Sequence, residues 1–317
     1  MKKVVVFGGG TGLSCLLSGL KLFPIDVTAV ITVSDNGSST GVLKEELDIP
    51  AVGDVGKVLL SMANVEEDLV ELLSYRFSKS GTLHNHPVRN ILLSALIDTK
   101  GSLTEASRFM CRILNVKGTV LPLTEERVEL IGEGDGKNYV GEEAVSANIR
   151  QIRRLRYDRD FRIPPEIAQR VSRADLVVFS PGSLYTSILP HLIAPEVLRA
   201  LASTGAPLMY VSNLVTQPGE TDGYDVSSHV RVLNRYLEES RRKIDVVVAN
   251  NEEIDPRIIE KYLQTENKRV ARLDRAEVES LGVRIIEGDI FSIEDERVRH
   301  NALKTAYLIF SYLMEES

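Results

Sequence analysis

Residues 1–17 read MKKVVVFGGGTGLSCLL: an apolar run at 4–7 stops at three consecutive glycines and resumes as a helical pattern. A β-strand, a glycine-rich turn and a helix N-terminus form the commonest phosphate cradle of α/β proteins, because backbone N–H groups converge there and the helix dipole favours an anion. The dinucleotide fingerprint G-x-G-x-x-G is not met: counted from Gly8 its third glycine falls on Leu13, and counted from Gly10 it falls on Cys15. A Walker loop is not met either, since no Gly-Lys-Ser/Thr closes the turn. The stretch predicts a phosphate site and leaves its ligand open.

Further runs at 27–33, 176–179, 208–212 and 244–249 share the character of the first, β-branched and nearly continuous as in strands buried on both faces. Helical patterns at 67–77, 88–98, 195–203 and 226–239 fall between or after them. This alternation predicts an α/β fold: a Rossmann-like, doubly wound, mostly parallel sheet with helices on both faces and right-handed crossovers. Residues 119–145 break the rhythm with short alternating segments and an Asp135-Gly136 hairpin signal, so a small antiparallel β insertion is expected there. From about residue 255 the pattern returns to helix, with Asp255-Pro256 at its start, a strand at 283–286 and a last helix to about 314. The expected organisation is one domain over 1–317, carrying that insertion and a helical C-terminal extension.

At 317 residues, 43% hydrophobic and 26% charged, the chain buries roughly 75% of the surface it exposes when unfolded. No apolar run approaches the ~20 residues of a membrane helix. Lys2 and Lys3 precede an apolar run cut short by glycines, so no export signal is read and a cytoplasmic protein is expected. Two cysteines, Cys15 and Cys111, are too few for a disulfide framework and read as buried thiols. The net charge of −7 argues against nucleic-acid binding; Arg153, Arg154, Arg156, Arg159 and Arg162 read as a solvated basic face, with an interface as the alternative.

Ligands of parallel sheets bind beyond the carboxyl ends of the strands. Four polar loops follow strand patterns here: 8–12 with Thr11 and then Ser14, SDNGSSTG at 34–41, SPGSLYTS at 180–187 and NLVTQPGETDG at 213–223. Any one of them is also what turns and caps use. One exposed helix N-terminus offers an anion only about 0.3–1 kcal/mol, so tight binding requires several loops to converge. Asp35, Asp54 and Asp222 suit a hard cation such as Mg²⁺ held with ligand phosphates. Equally, Asp54 suits a cap on the helix starting at Val55, and Asp35 suits an Asx turn. His84-x-His86 lacks cysteine partners at metal spacing and reads as a turn.

Together these loops resemble one family, the YvcK/GlmR-type gluconeogenesis factors, relatives of the CofD transferases that move 2-phospho-L-lactate onto a deazaflavin precursor. The matching residues are GGGTGLS at 8–14, then Asp35, Gly37, Ser39 and Gly41, Gly53-Asp54, PGSLYTSILP from Pro181, and the loop from Asn213 with His229 after it. The resemblance implies a UDP-sugar ligand such as UDP-N-acetylglucosamine, and a regulatory role in gluconeogenic growth, cell-wall precursor supply and cell shape. It also implies self-association and a cell-wall synthesis enzyme as partner. The ligand-binding set expected on this basis is Gly9, Gly10, Thr11, Gly12, Asp35, Gly37, Ser39, His86, Asn90, Gly182, Ser183, Thr186, Asn213, Thr216, Gln217, Asp222, Tyr262 and Arg299. Asp35 and Asp54 are the candidates for catalysis or metal binding in the alternative reading, a Mg²⁺-dependent transferase of a phosphoryl or nucleotidyl group. Three positions depart from the pattern that the resemblance implies: Gly56-Lys57 stands where it has Arg-Asn, and Arg89 stands where it has glycine.

Overall fold

The computed structural model describes residues 1–79, 81–294 and 297–315. Its strands are β1 (Lys3–Gly8), β2 (Asp26–Ile31), β3 (Thr119–Pro122), β4 (Leu130–Gly134), β5 (Lys137–Val140), β6 (Arg154–Tyr157), β7 (Leu176–Phe179), β8 (Leu208–Val211), β9 (Val246–Asn250), β10 (Arg284–Gly288), β11 (Phe291–Glu294) and β12 (Arg297–His300). The helices are α1 (Gly10–Leu20), α2 (Ser38–Leu47), α3 (Gly53–Met62), α4 (Glu67–Ser74), α5 (Val88–Lys100), α6 (Leu103–Ile113), α7 (Glu142–Asn148), α8 (Pro165–Ser172), α9 (Leu189–Leu192), α10 (Pro195–Ser203), α11 (Val226–Leu237), α12 (Pro256–Glu266), α13 (Arg275–Ser280) and α14 (Ala302–Glu315).

Seven strands form one sheet in the order β10-β9-β8-β7-β1-β2-β3, and every neighbouring pair is parallel. The chain winds outward from β1 through β2 to β3, then returns to the other side of β1 and winds through β7 to β10. The winding direction therefore reverses between β1 and β7 while the strands stay parallel, and a crevice opens beyond their carboxyl ends. The apolar runs explain the placement. Val4–Phe7 and the whole of β7 are buried, as only strands covered on both faces can be. Helices pack around the sheet, α1 against α3 and α14 among them.

Two segments differ from the sequence reading. Thr119–Pro122, read with the antiparallel insertion, pairs in parallel with β2 as the edge of the main sheet. The antiparallel unit is β5-β4-β6 and reaches Tyr157. At four residues β3 is too short to distinguish from a hairpin strand by pattern. The expected hairpin turn is present, with Asp135 at φ 49° and Gly136 at φ 74°, both left-handed as a type I′ turn requires. Besides its helices and the expected strand, present as β10, the C-terminal region holds an antiparallel strand pair, β11 with β12. Asp255 caps α12 through the Arg257 N–H at 2.9 Å, with Pro256 in the first turn.

Candidate functional site at the carboxyl ends of β1 and β7

The glycine stretch turns directly from β1 into α1. Gly9 is extended, whereas Gly10 sits at φ +63°, where any residue with a Cβ is strained. Gly12 serves close approach: a Cβ there would lie 2.1 Å from the Pro181 carbonyl oxygen. The first turn of α1 thus rests against the backbone of the loop after β7. First-turn N–H groups have no intrahelical partner. One of them, from Gly10, is taken by the Asp54 carboxylate at 2.7 Å.

A cleft of ≈ 470 Å³ lies along this junction. Its walls are Thr11, Gly12 and Cys15 of α1, residues 181–183, residues 213–217, Lys268, and residues 298–300 of β12. The sequence-predicted Thr11, Gly12, Gly182, Ser183, Asn213, Thr216, Gln217 and Arg299 therefore come together, as convergent strand-end loops require. Several of their polar atoms face each other. Asn213 clasps the Gly182 peptide, accepting its N–H and donating to its carbonyl, both at 2.9 Å. Thr216 pairs with Arg269 through its N–H at 2.7 Å and its hydroxyl at 2.9 Å. These bonds shape the wall. Among the described residues Arg299 has no ion-pair partner, while Lys268 pairs with Glu266 at 2.6 Å.

The loop after β7 forms a π-helical turn at Leu184–Ile188, a geometry frequent at functional sites. Glu220 holds it from beneath. One carboxylate oxygen accepts the Ser183 hydroxyl and the Tyr185 N–H, each at 2.7 Å, and the other is buried without a partner. Burial pushes the Glu220 carboxyl up to about 7, against the pull of those hydrogen bonds. Ser183 also accepts from Thr186, so both hydroxyls are tied within the protein.

On the other side of the glycine turn lies a charged corner. Asp54, in the first turn of α3, accepts from Gly10 and from the Lys57 ammonium at 2.9 Å; it joins two elements rather than capping its own helix. Asp35 makes the expected Asx bond, accepting the Gly37 N–H at 2.9 Å. Glu142, at the start of α7, completes the corner. Burial, and then the carboxylates of Asp35 and Asp54, raise its carboxyl to about 8. Desolvation opposes the charge on Lys57, but Asp54 outweighs it and the ammonium titrates above its usual value. Ser39, His86 and Asn90 meet nearby: the Ser39 hydroxyl lies 2.8 Å from His86 Nδ1 and accepts from Asn90 at 3.3 Å.

Two predicted residues stand apart. Asp222 pairs with Arg150, at 2.9 Å from its Nε, and accepts the Gly219 N–H. It does not join Asp35 and Asp54. Tyr262 accepts the Val298 N–H at 2.8 Å and is buried, so it fixes the strand that carries Arg299. Among the described residues no three or more His, Cys, Asp or Glu side chains are grouped to hold a metal ion. Three residues escaped the sequence reading. Glu142 follows Gly141, a left-handed hinge at φ 90° before a helix start, which was the available signal. Glu220 lay inside a quoted loop without being distinguished from its neighbours. Arg89 stood out only as a departure from a pattern.

Below the glycine turn, His191 packs its ring against Phe7 and bonds the Gly8 carbonyl through Nε2 at 3.0 Å. Burial lowers it to about 4, so it is neutral at pH 7. Cys15 donates to the His300 carbonyl at 3.1 Å. The basic face is largely paired: Arg153 with Asp135, Arg156 with Glu133 and Arg159 with Asp158.

A glycine turn at the switch point of a seven-stranded parallel sheet, walled by polar strand-end loops, defines a Rossmann-like α/β protein. Residues 4–291 match the family model "2-phospho-L-lactate transferase CofD". The chain is 38% identical over 316 residues to a putative gluconeogenesis factor of Thermotoga maritima, covering 97% of this chain and 98% of the relative. It is 37% identical over 315 residues to the gluconeogenesis factor of Bacillus subtilis, covering 99% and 98%. The crystal structure of protein BH3568 from Bacillus halodurans superposes with a TM-score of 0.92 at 36% identity, covering 98% of this chain and 99% of that one. The chain belongs to the CofD family, among its gluconeogenesis factors. No helix among the described residues is long and apolar enough to cross a membrane.

Proposed function

We propose that this gluconeogenesis factor is a regulatory protein that binds a UDP-sugar of the UDP-N-acetylglucosamine type and links its level to cell-wall precursor supply and cell shape. The observation that carries this reading is the cleft between α1, the Gly182 turn, residues 213–217 and β12. Its volume lies within the range of small-molecule sites. The first turn of α1 offers backbone donors to a diphosphate, with the Arg299 and Lys268 cations across the cleft. Gln217 and Thr11 supply neutral donors and acceptors for a uracil or for sugar hydroxyls. Calorimetry against UDP-N-acetylglucosamine tests the reading. The expected result is saturable 1:1 binding below 1 mM, weakened by Arg299→Ala; no heat at that concentration contradicts it.

A second reading, transfer of a phosphoryl or nucleotidyl group, rests on the charged corner. Asp35, Asp54 and Glu142 gather beside the glycine turn with one carboxyl held protonated, an arrangement suited to proton transfer. Mg²⁺ would supply charge neutralisation of phosphates there, with Asp35 and Asp54 as its candidate ligands. Asp35→Asn and Asp54→Asn variants that keep wild-type ligand affinity and transferase behaviour overturn this reading.

A further inference from the structure

Arg89 sits in the first turn of α5 and is 8% exposed. Its Nε is buried without a hydrogen-bond partner, and among the described residues no carboxylate pairs with the guanidinium. The surroundings make this worse. Burial and the nearby Arg76 both disfavour its charge, and its own positive field bears on Lys57. It also stands at a helix N-terminus, where the dipole repels a cation. A largely buried cation with no anion beside it is costly. Asn90, next in sequence and 3% exposed, likewise leaves its Oδ1 unpartnered.

The space for Arg89 comes from Gly56 in α3. A Cβ at Gly56 would lie 3.1 Å from Arg89 Cδ and 3.4 Å from its Cγ, so a side chain there competes with the Arg89 stem. A glycine inside a helix carries a propensity cost and calls for a packing reason. Gly56 and Arg89 are thus in contact, and they are two of the positions at which the resemblance implies other residues, arginine and glycine respectively.

We propose that Arg89 is an anion-binding residue of the ligand site, its guanidinium brought in from α5 over Gly56 to take phosphoryl oxygens beside Lys57. This rests on a phosphorylated ligand reaching the charged corner, where the second reading above puts its phosphates. Guanidinium, unlike ammonium, grips two phosphoryl oxygens at once. Asn90 Oδ1 is placed to accept a donor from the same ligand.

The test uses wild type, Arg89→Met, Arg89→Gly and the double variant Gly56→Arg/Arg89→Gly, with UDP-N-acetylglucosamine and inorganic pyrophosphate as probes. Arg89→Met keeps the packing stem. It is expected to weaken both probes about 10–100-fold, the scale of a charge-assisted hydrogen bond, while the ligand-free protein melts at the wild-type temperature or above. Arg89→Gly is expected to bind as weakly, and the double variant to recover to within about fivefold of wild type. Met binding both probes as wild type does, or melting several degrees lower without ligand, overturns the proposal and makes Arg89 structural. A double variant no better than Arg89→Gly overturns the exchange. Wild type binding pyrophosphate but not UDP-N-acetylglucosamine removes the nucleotide-sugar reading alone, and Arg89 is then judged on pyrophosphate. Wild type binding neither probe overturns both.

Discussion

Replacing Gly10 with valine separates the glycine turn's structural duty from its binding duty. At φ +63° a β-branched residue is strained by about 1–3 kcal/mol. Among the described residues beyond its own turn, the one atom within 4 Å of an added Cβ is Asp54 Oδ2 at 4.0 Å, so the Cβ itself meets no clash. For 317 residues that strain lowers the melting temperature by about 2–5 °C. Binding suffers far more. Excluding a phosphate from two first-turn N–H groups forfeits about 1.5–3 kcal/mol for each charge-assisted bond, on the order of 100-fold or more in affinity. Gly101→Val is the control, since Gly101 sits at φ +86° with nothing within 4 Å at the end of α5. Calorimetry and thermal denaturation of both variants are the assays. Similar melting shifts with binding lost only in Gly10→Val support the account. Wild-type affinity in Gly10→Val refutes it and reduces the stretch to a turn.

Three further predictions follow from the same geometry. Gly12→Ala places a Cβ 2.1 Å from the Pro181 oxygen and forces α1 off the β7 loop; about 1–3 kcal/mol of stability and most of the affinity are lost together, as denaturant titration and calorimetry will record. Asp54→Asn removes the carboxylate that joins Gly10 to Lys57 and costs about 1–3 kcal/mol, mostly through the Gly10 bond because Lys57 is partly exposed; an unchanged denaturation midpoint contradicts this. The pH profile is a balance of opposite signs. His191 and His300 fall from 6.5 to about 4 on folding, so each loses about 3 kcal/mol of stability as pH drops through that window. Glu220 rises from 4.5 to about 7, so its share is lost as pH climbs. In urea titrations at pH 4.5 and 7.5, Glu220→Gln should gain stability toward pH 7.5 relative to wild type and His191→Gln should gain it toward pH 4.5; parallel profiles contradict the assignment.

The sheet was legible because strands buried on both faces carry an unmistakable continuous β-branched pattern, as at residues 4–7 and 176–179. β3 was not, since its four residues bear no signal that separates a parallel edge from a hairpin. The strand-end rule put four loops on one edge of the sheet; those at 8–12, 180–187 and 213–223 line one cleft, whereas the loop at 34–41 does not reach it and holds Asp35 in the charged corner. Individual roles were harder. Asn213, Ser183 and Thr216 have the right chemistry for a ligand, yet much of it is turned on neighbouring loops, which local sequence cannot reveal. Asp222 was drawn away by Arg150, 72 residues distant, and Tyr262 serves the backbone of β12. Glu142 reached the site only through the antiparallel unit, a tertiary placement whose one local signal was Gly141 before a helix start.

Hydrogen–deuterium exchange with and without UDP-N-acetylglucosamine tests the central claim most directly. The account predicts slower exchange of amides at 9–12, 182–186 and 213–217, with the antiparallel unit at 130–134 and 137–140 unchanged. Saturating ligand that leaves those three loops unprotected, or protects a different surface, contradicts it.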